Sequence, residues 1–280
     1  MPQYNFNSDS KGLDLTNALY LAQLSQLAYQ PLGQISGQLK TQYNLPQYQF
    51  FDVQETDTHV FLAANEKMIV LAFRGTQSIE NWLMDFKTAL VPSKVGKIHY
   101  GFNEALKSVW NNLYETICAW KGQAQTLWVT GHSLGGALAA LTVDWLTEQD
   151  VNVDGLYTYG QPRVGDKDFA NNFNTKTNGY VFRFVNDADI VPRVPPPPGY
   201  KHTEAVCFLD NKGNIHRNKF FLNWFFSYSE DVAIGSTDGY KRQHPGGIDD
   251  HDLNYYIKYV YQNLQKQQGG LTTFEEYINS

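Results

Sequence analysis

Residues Leu127-Trp128-Val129-Thr130-Gly131-His132-Ser133-Leu134-Gly135-Gly136-Ala137 decide how this chain is read. Leu127–Thr130 is a short β-favouring run broken by Gly131, and Ala137–Leu146 is strongly helical. Between them, Gly131-His132-Ser133-Leu134-Gly135 fits the pattern G-x-S-x-G. A serine lifted on a sharp strand-to-helix turn sits in a strained backbone conformation. Glycines two residues to either side let strand and helix approach with no Cβ in the way. The helix that begins there aims its N-terminal N–H groups and dipole at the serine, where negative charge on a substrate oxygen would develop. The plainer reading of the same residues is a glycine turn with a helix-capping serine.

Working outward, Leu13–Tyr29 places Leu15, Ala18, Leu19, Ala22 and Leu27 on one helical face, stopped by Pro31. Phe50–Gln54 and Val60–Ala64 read as strands, and Met68–Phe73 as a buried strand ending at Arg74-Gly75. Asn103–Trp120 is helical, Leu156–Tyr159 and Tyr180–Val185 are strands, and a helical stretch near Asp168–Phe173 lies between them. From about residue 67 onward strands and helices alternate. That order predicts an α/β fold, a mostly parallel central sheet with helices on both faces. Leu253–Leu264 is a last amphipathic helix, and after Gln265 the chain turns polar and reads as a loose tail. No linker divides residues 1–280, so one domain is expected.

Composition narrows the function. The 22 basic and 28 acidic residues give a net charge of −6, without the basic field that phosphate binding needs, so no nucleic-acid partner is expected. The longest unbroken apolar run, Met68–Phe73, is far below the ~20 residues a membrane-spanning helix requires. The first ten residues show no basic segment followed by an apolar one, and there are only two cysteines, Cys118 and Cys207. The localisation reading therefore leans cytoplasmic, with secretion following if a leader was removed. The cysteines read as plain thiols rather than one long-range bridge. With no CxxC, HExxH, GxGxxG or GxxxxGK[ST], neither a metal nor a nucleotide cofactor is expected.

A serine hydroxyl needs a base, itself oriented by a carboxylate. After a nucleophile on such an elbow the partners follow in the order acid, then histidine. His251, in Asp249-Asp250-His251-Asp252, and His244, in Gln-His-Pro-Gly-Gly, compete as base. The strand Tyr180–Val185 runs into Asn186-Asp187-Ala188-Asp189-Ile190-Val191-Pro192, and spacing does not separate Asp187 from Asp189.

At this point the chain resembles the class 3 lipases, the filamentous-fungal triacylglycerol lipase type of α/β-hydrolase. The resemblance rests on Ala72-Phe73-Arg74-Gly75-Thr76-Gln77-Ser78-Ile79-Glu80-Asn81-Trp82, on Ile98-His99-Tyr100-Gly101-Phe102 and on the elbow. It continues through Tyr159-Gly160-Gln161-Pro162-Arg163-Val164-Gly165, Val185–Pro192 and Asp250-His251 with Leu253 and Tyr255. The resemblance implies Ser133 as nucleophile, Asp189 as acid and His251 as base, with Thr76 and Leu134 forming the oxyanion hole. Asp187 then reads as a solvated charge and His132 as support for the elbow. The implied activity is cofactor-free hydrolysis of acyl-lipid or other esters. Phospholipase, galactolipase and feruloyl-type esterase are the rival enzymes, and a silent interaction scaffold is the non-enzymatic alternative.

Ser78–Phe86 corresponds to the family's lid. Ile79, Trp82, Leu83 and Phe86 fall at i, i+3, i+4 and i+7 on one apolar stripe suited to substrate and transient contact with a lipid interface. A permanently packed core helix is the alternative. The aromatic run Phe220–Phe226 reads either as a membrane-touching cap or as core.

Overall fold

Met68–Phe73 (β3) is apolar at every position and buried at every position, which is what a strand covered on both faces requires. It sits within an eight-stranded sheet. The structure, a computed structural model, describes residues 6–85, 87–122, 124–203, 206–217, 247–270 and 274. The other strands of this sheet are Gln47–Val53 (β1), Thr58–Ala64 (β2), Thr126–His132 (β6), Gly155–Tyr159 (β7), Val181–Asn186 (β8), Val206–Leu209 (β9) and Ile215–His216 (β10). Their spatial order is β1-β2-β3-β6-β7-β8-β9-β10. The run from β3 to β9 is parallel, while β1, β2 and β10 pair antiparallel at the two edges. A separate antiparallel pair, Leu90–Pro92 (β4) and Lys97–His99 (β5), follows the short helix α3 (Ile79–Asp85).

The pleat of β6 shows how the two faces are filled. Trp128 belongs to the cluster that contains α1 (Leu15–Leu27) and α7 (Leu253–Gln268), together with Tyr157, Tyr159, Phe182 and Phe184. Leu127 and Val129 point the other way, into the cluster built by α4 (Tyr100–Trp120) and α5 (Leu134–Glu148). Each large apolar side chain fully withdrawn from water on either face contributes roughly 1.5–3 kcal/mol. Helix α6 (Lys167–Lys176) completes the crossover from β7 to β8 and is capped by Asp166, whose carboxylate accepts from Phe169 N–H. The expected α/β fold, mainly parallel and covered on both faces, is the one observed.

Several boundaries differ from the sequence reading. Strand β6 passes through Gly131 to His132 instead of breaking at the glycine, because Gly131 still pairs with Phe73 on one side and Thr158 on the other. Helix α7 continues beyond Gln265 to Gln268, through residues that favour helix, and stops at Gly269 in the left-handed conformation (φ 68°). Helix α2 (Leu32–Thr41), absent from that reading, buries only Ile35 and Leu39, and two apolar positions among glycines leave almost no periodic signal. Cys118 is exposed and Cys207 buried, and both are free thiols. Among the described residues no helix is long and apolar enough to cross a membrane. Phe86, His244 and the run at 220–226 lie outside the described residues.

Candidate active site

The parallel register brings four chain reversals to one edge of the sheet. Phe73 pairs with Gly131, Gly131 with Thr158, and Tyr159 with Phe184. The carboxyl ends of β3, β6, β7 and β8 therefore release Gly75, Ser133, Gly160 and Asp187 into the same crevice, where open α/β sheets place their sites.

Ser133 occupies the turn after β6 with φ 59° and ψ −131°, a conformation that costs a side chain on the order of 1–3 kcal/mol. The glycines around it are sterically required. A Cβ on Gly131 would lie 2.3 Å from the Gly135 carbonyl oxygen, and one on Gly135 would lie 2.3 Å from that of Phe73. Ser133 N–H donates to Tyr159 C=O at 2.9 Å, which ties the elbow to the end of β7. The residue is 1 % exposed, and its Oγ makes no hydrogen bond.

Asp189 is fully buried. Its Oδ1 accepts from Val191 N–H at 2.8 Å, and its Oδ2 accepts from the Tyr256 hydroxyl at 2.5 Å. His251 Nδ1 lies 2.9 Å from Oδ2 and 3.0 Å from Oδ1. A carboxylate only accepts, so Nδ1 carries the hydrogen and Nε2 presents a lone pair, which has no partner. The hydrogen bond from Ser133 to His251 is thus unmade, and both of its would-be ends are buried and unpaired. The two side chains flank one bend, since a Cβ on Gly160 would sit 2.8 Å from His251 Nδ1 and 2.9 Å from Asp189 Oδ2, one residue beyond the carbonyl that holds Ser133. Asn186 Nδ2 donates to Asp250 C=O, and Ile190 N–H to Gly247 C=O, so the acid and histidine loops are stitched together.

The fork between neighbouring aspartates has a geometric answer. Asp187 stands at φ 26°, offers its carbonyl to Arg193 Nη2, and has no bond to His251. His202 and His216 bond elsewhere, to Pro192 C=O and to the Asp210 carboxylate. Asp250, next to His251, is pushed up to about 6, first by burial and then by the charge of Asp187. His132 is held well below the usual histidine range by burial and next by the proximity of His251, so its imidazole is neutral.

Thr76 and His251 line one cleft of about 520 Å³ with Tyr29, Ile79, His132 and Ile248. The preceding Gly75 packs against the nucleophile, because a Cβ there would lie 3.0 Å from Ser133 Cβ. Leu134 opens α5, so its N–H belongs to the first-turn donors that have no intrahelical acceptor. Helix α3 sets Ile79, Trp82 and Leu83 against Ile190 and Val191, on which Ile248 also packs. Among the described residues no group of three or more His, Cys, Asp or Glu side chains is arranged to hold a metal ion.

The sequence reading gave no role to Tyr256 or Tyr29, and none to Gly160 beyond its place in a stretch that carries the resemblance. Tyr256 was within reach, because Leu253, Tyr256, Ile257 and Val260 form the buried stripe of α7, whereas Tyr255, the aromatic singled out instead, is 39 % exposed.

Residues 70–198 match the family described as lipase (class 3). The chain is 40 % identical over 151 residues to a secreted mono- and diacylglycerol lipase of Fusarium solani, covering 51 % of this chain and 44 % of that protein. It is 38 % identical over 170 residues to a lipase of Rhizomucor miehei, covering 57 % and 47 %. It thus spans about half the length of these curated relatives. The solved structure of the Rhizomucor miehei triacylglyceride lipase superposes with a TM-score of 0.66 at 27 % identity, over 85 % of this chain and 92 % of that one. The fold is the α/β-hydrolase fold of these lipases. The leaning toward the cytoplasm gains no support, since the Fusarium relative is named as secreted.

Proposed function

Residues 70–198 belong to the class 3 lipase family, and from that premise we propose that this protein is a carboxylic ester hydrolase acting on acyl esters of glycerol or other lipids. The observation that carries the proposal is the fully buried Asp189 holding His251 by Nδ1, which leaves Nε2 as a lone pair beside the strained elbow of Ser133.

Ser133 Oγ attacks the ester carbonyl while His251 Nε2 takes its proton. Asp189 fixes the tautomer and offsets the charge of the imidazolium. The Leu134 N–H, with the N–H and hydroxyl of Thr76, stabilises the oxyanion of the tetrahedral intermediate. His251 returns the proton to the leaving alcohol, giving an acyl-enzyme, and water attacking under the same base releases the fatty acid. The unmade Ser133–His251 bond is compatible with this sequence, because such bonds commonly tighten only when substrate is bound.

Helix α3 is proposed as the lid. It packs on the acid loop with Ile79, Trp82 and Leu83, and an apolar stripe of this kind exchanges water-facing closure for contact with lipid. Residues 1–280 act as one catalytic unit in this reading.

The test is hydrolysis of p-nitrophenyl esters of graded acyl length, followed by emulsified triacylglycerol and phospholipid bilayers, with wild type and Ser133→Ala. The expected result is activity in the wild type and its loss in the folded variant, by about 10⁴-fold or more. Full activity in Ser133→Ala overturns the mechanism. A folded wild type that hydrolyses no ester and fails to react with a fluorophosphonate returns the protein to the scaffold reading. Preference for bilayers or for soluble short esters assigns it to the phospholipase or esterase alternative.

A further inference from the structure

The site contains a second histidine, His132, that the hydrolytic steps leave unused, and its surroundings define what it does. Its ring stacks on His251 with centroids 4.4 Å apart and planes at 30°. Its Nε2 lies 2.8 Å from the His251 backbone oxygen. A carbonyl only accepts, so Nε2 bears the hydrogen and Nδ1 bears the lone pair. That lone pair faces the hydroxyl of Tyr29 at 2.9 Å, and Tyr29 O–H therefore donates to it. The same hydroxyl lies directly against the Gly75 backbone. The fit there admits nothing larger than glycine, because a Cβ on Gly75 would lie 2.2 Å from Tyr29 Oη and 2.6 Å from His132 C=O.

The resulting chain runs from Gly75 through Tyr29 and His132 to the His251 carbonyl. It joins the loop before Thr76, the residue before Ser133, and the loop that carries the base. Tyr29 follows the end of α1 and lies outside residues 70–198.

We infer that Tyr29 and His132 are positioning residues that lock the oxyanion loop, the nucleophile elbow and the His251 loop into one register. They also keep the second imidazole from competing for the Ser133 proton. The inference rests on the hydrolase reading above for its kinetic consequence. Two stacked imidazoles stand beside one nucleophile, and only one has a free lone pair. His132 has both nitrogens engaged, Nε2 as donor and Nδ1 as acceptor, and protonating Nδ1 would leave Tyr29 O–H without its acceptor. His251 Nε2 is the uncommitted one. Both residues line the cleft, and each affects turnover through the placement of Ser133 and His251.

The experiment compares wild type with Tyr29→Phe, His132→Leu and His132→Gln on a soluble p-nitrophenyl ester, and follows ¹⁵N-histidine NMR of wild type and Tyr29→Phe. Tyr29→Phe keeps the ring and drops the hydroxyl, and is expected to lower kcat about tenfold with KM within about twofold. His132→Leu loses both bonds and is expected to lower kcat about 100-fold. His132→Gln, whose amide N–H can reach the His251 carbonyl, recovers most of the loss. In the NMR spectrum His132 remains the neutral Nε2–H tautomer from about pH 5 to 8, and its Nδ1 resonance moves in Tyr29→Phe. Unchanged kcat in Tyr29→Phe, an effect confined to KM, or a His132 that is charged or Nδ1–H near pH 6 would each overturn the inference. A wild type inactive on every ester would overturn the hydrolase reading instead. The tautomer measurement still decides whether the hydrogen-bond chain exists.

Discussion

The elbow around Ser133 and the helix α3 each give the cleft a wall residue, His132 and Ile79, and are built on opposite principles. At the elbow every side chain from Leu127 to Ser133 is buried below a tenth, and Gly131 and Gly135 meet backbone where a methyl would overlap. Displacing Ser133 means disturbing β3, β6, β7 and α5 together. Helix α3 has seven residues, too few to persist alone in water, and only its Ile79, Trp82 and Leu83 face an apolar neighbour. Its Met84 is 68 % exposed. The contrast teaches where this fold keeps its rigidity. Geometry that must hold to fractions of an ångström is set by backbone-on-backbone contact, and access is assigned to an element whose docking a lipid surface can match.

The contrast breaks most visibly if the rigid wall tolerates chemical change. Asp189→Asn preserves shape but lets an amide N–H face His251 Nδ1, favouring the tautomer whose Nε2 is blocked by hydrogen. The expected loss of kcat on p-nitrophenyl esters is about 10⁴-fold, with an unchanged circular dichroism spectrum. A loss of only a few-fold would mean that the buried Asp189–His251 pair is structural. On the other wall the effect is smaller and depends on substrate. Trp82→Ser removes the largest apolar group that α3 sets against Val191 and Ile190. The expected outcome is a rate on monomeric short-chain ester within about threefold of wild type, and a rate on emulsified triacylglycerol about five- to tenfold lower. Equal losses on both substrates would identify α3 as a core helix and remove the lid.

How legible each wall was in the sequence follows from the same difference. The elbow announces itself because its glycines are dictated by local sterics, which leave a fixed spacing, and because β3 is an apolar run of strand length and β6 holds a β-favouring one. The parallel sheet followed from element order alone. Asp189 over Asp187 was not readable from spacing, since both lie beyond β8. The choice is made by tertiary hydrogen bonds from Tyr256 O–H and His251 Nδ1–H that no local pattern encodes. The resemblance to class 3 lipases named the same aspartate. Tyr29 was hidden for a related reason. It sits where the α1 pattern ends and looks like a helix-terminal aromatic, and its meaning appears only when Gly75 and His132 arrive from residues far along the chain. Helix α2 and the short strands β9 and β10 were missed because few of their positions are buried or their length is minimal.

The smallest effect on turnover is expected at the far end of the helix that begins at Ser133. Asp144 on α5 is 3 % exposed, and Lys176 Nζ lies 3.6 Å from its Oδ1. Burial pushes its carboxyl up to about 6, against the opposing pull of Lys176. In the unfolded chain the value is about 3.9, so the folded state binds the proton more tightly. The stabilisation from that protonation is complete below the unfolded value and is lost as pH rises through about 6, amounting to roughly 2–3 kcal/mol. Asp144→Asn is neutral at every pH and removes this term. Urea unfolding at pH 4 and pH 8 is therefore expected to show a midpoint that falls with pH more steeply in wild type than in the variant. The rate on p-nitrophenyl esters at pH 7 should agree within about twofold. Parallel midpoints in the two proteins would show that Lys176 already holds Asp144 ionised. A large change in rate would show that strain is transmitted along α5 to Ser133, and the rigidity credited to the elbow would then belong to the whole helix.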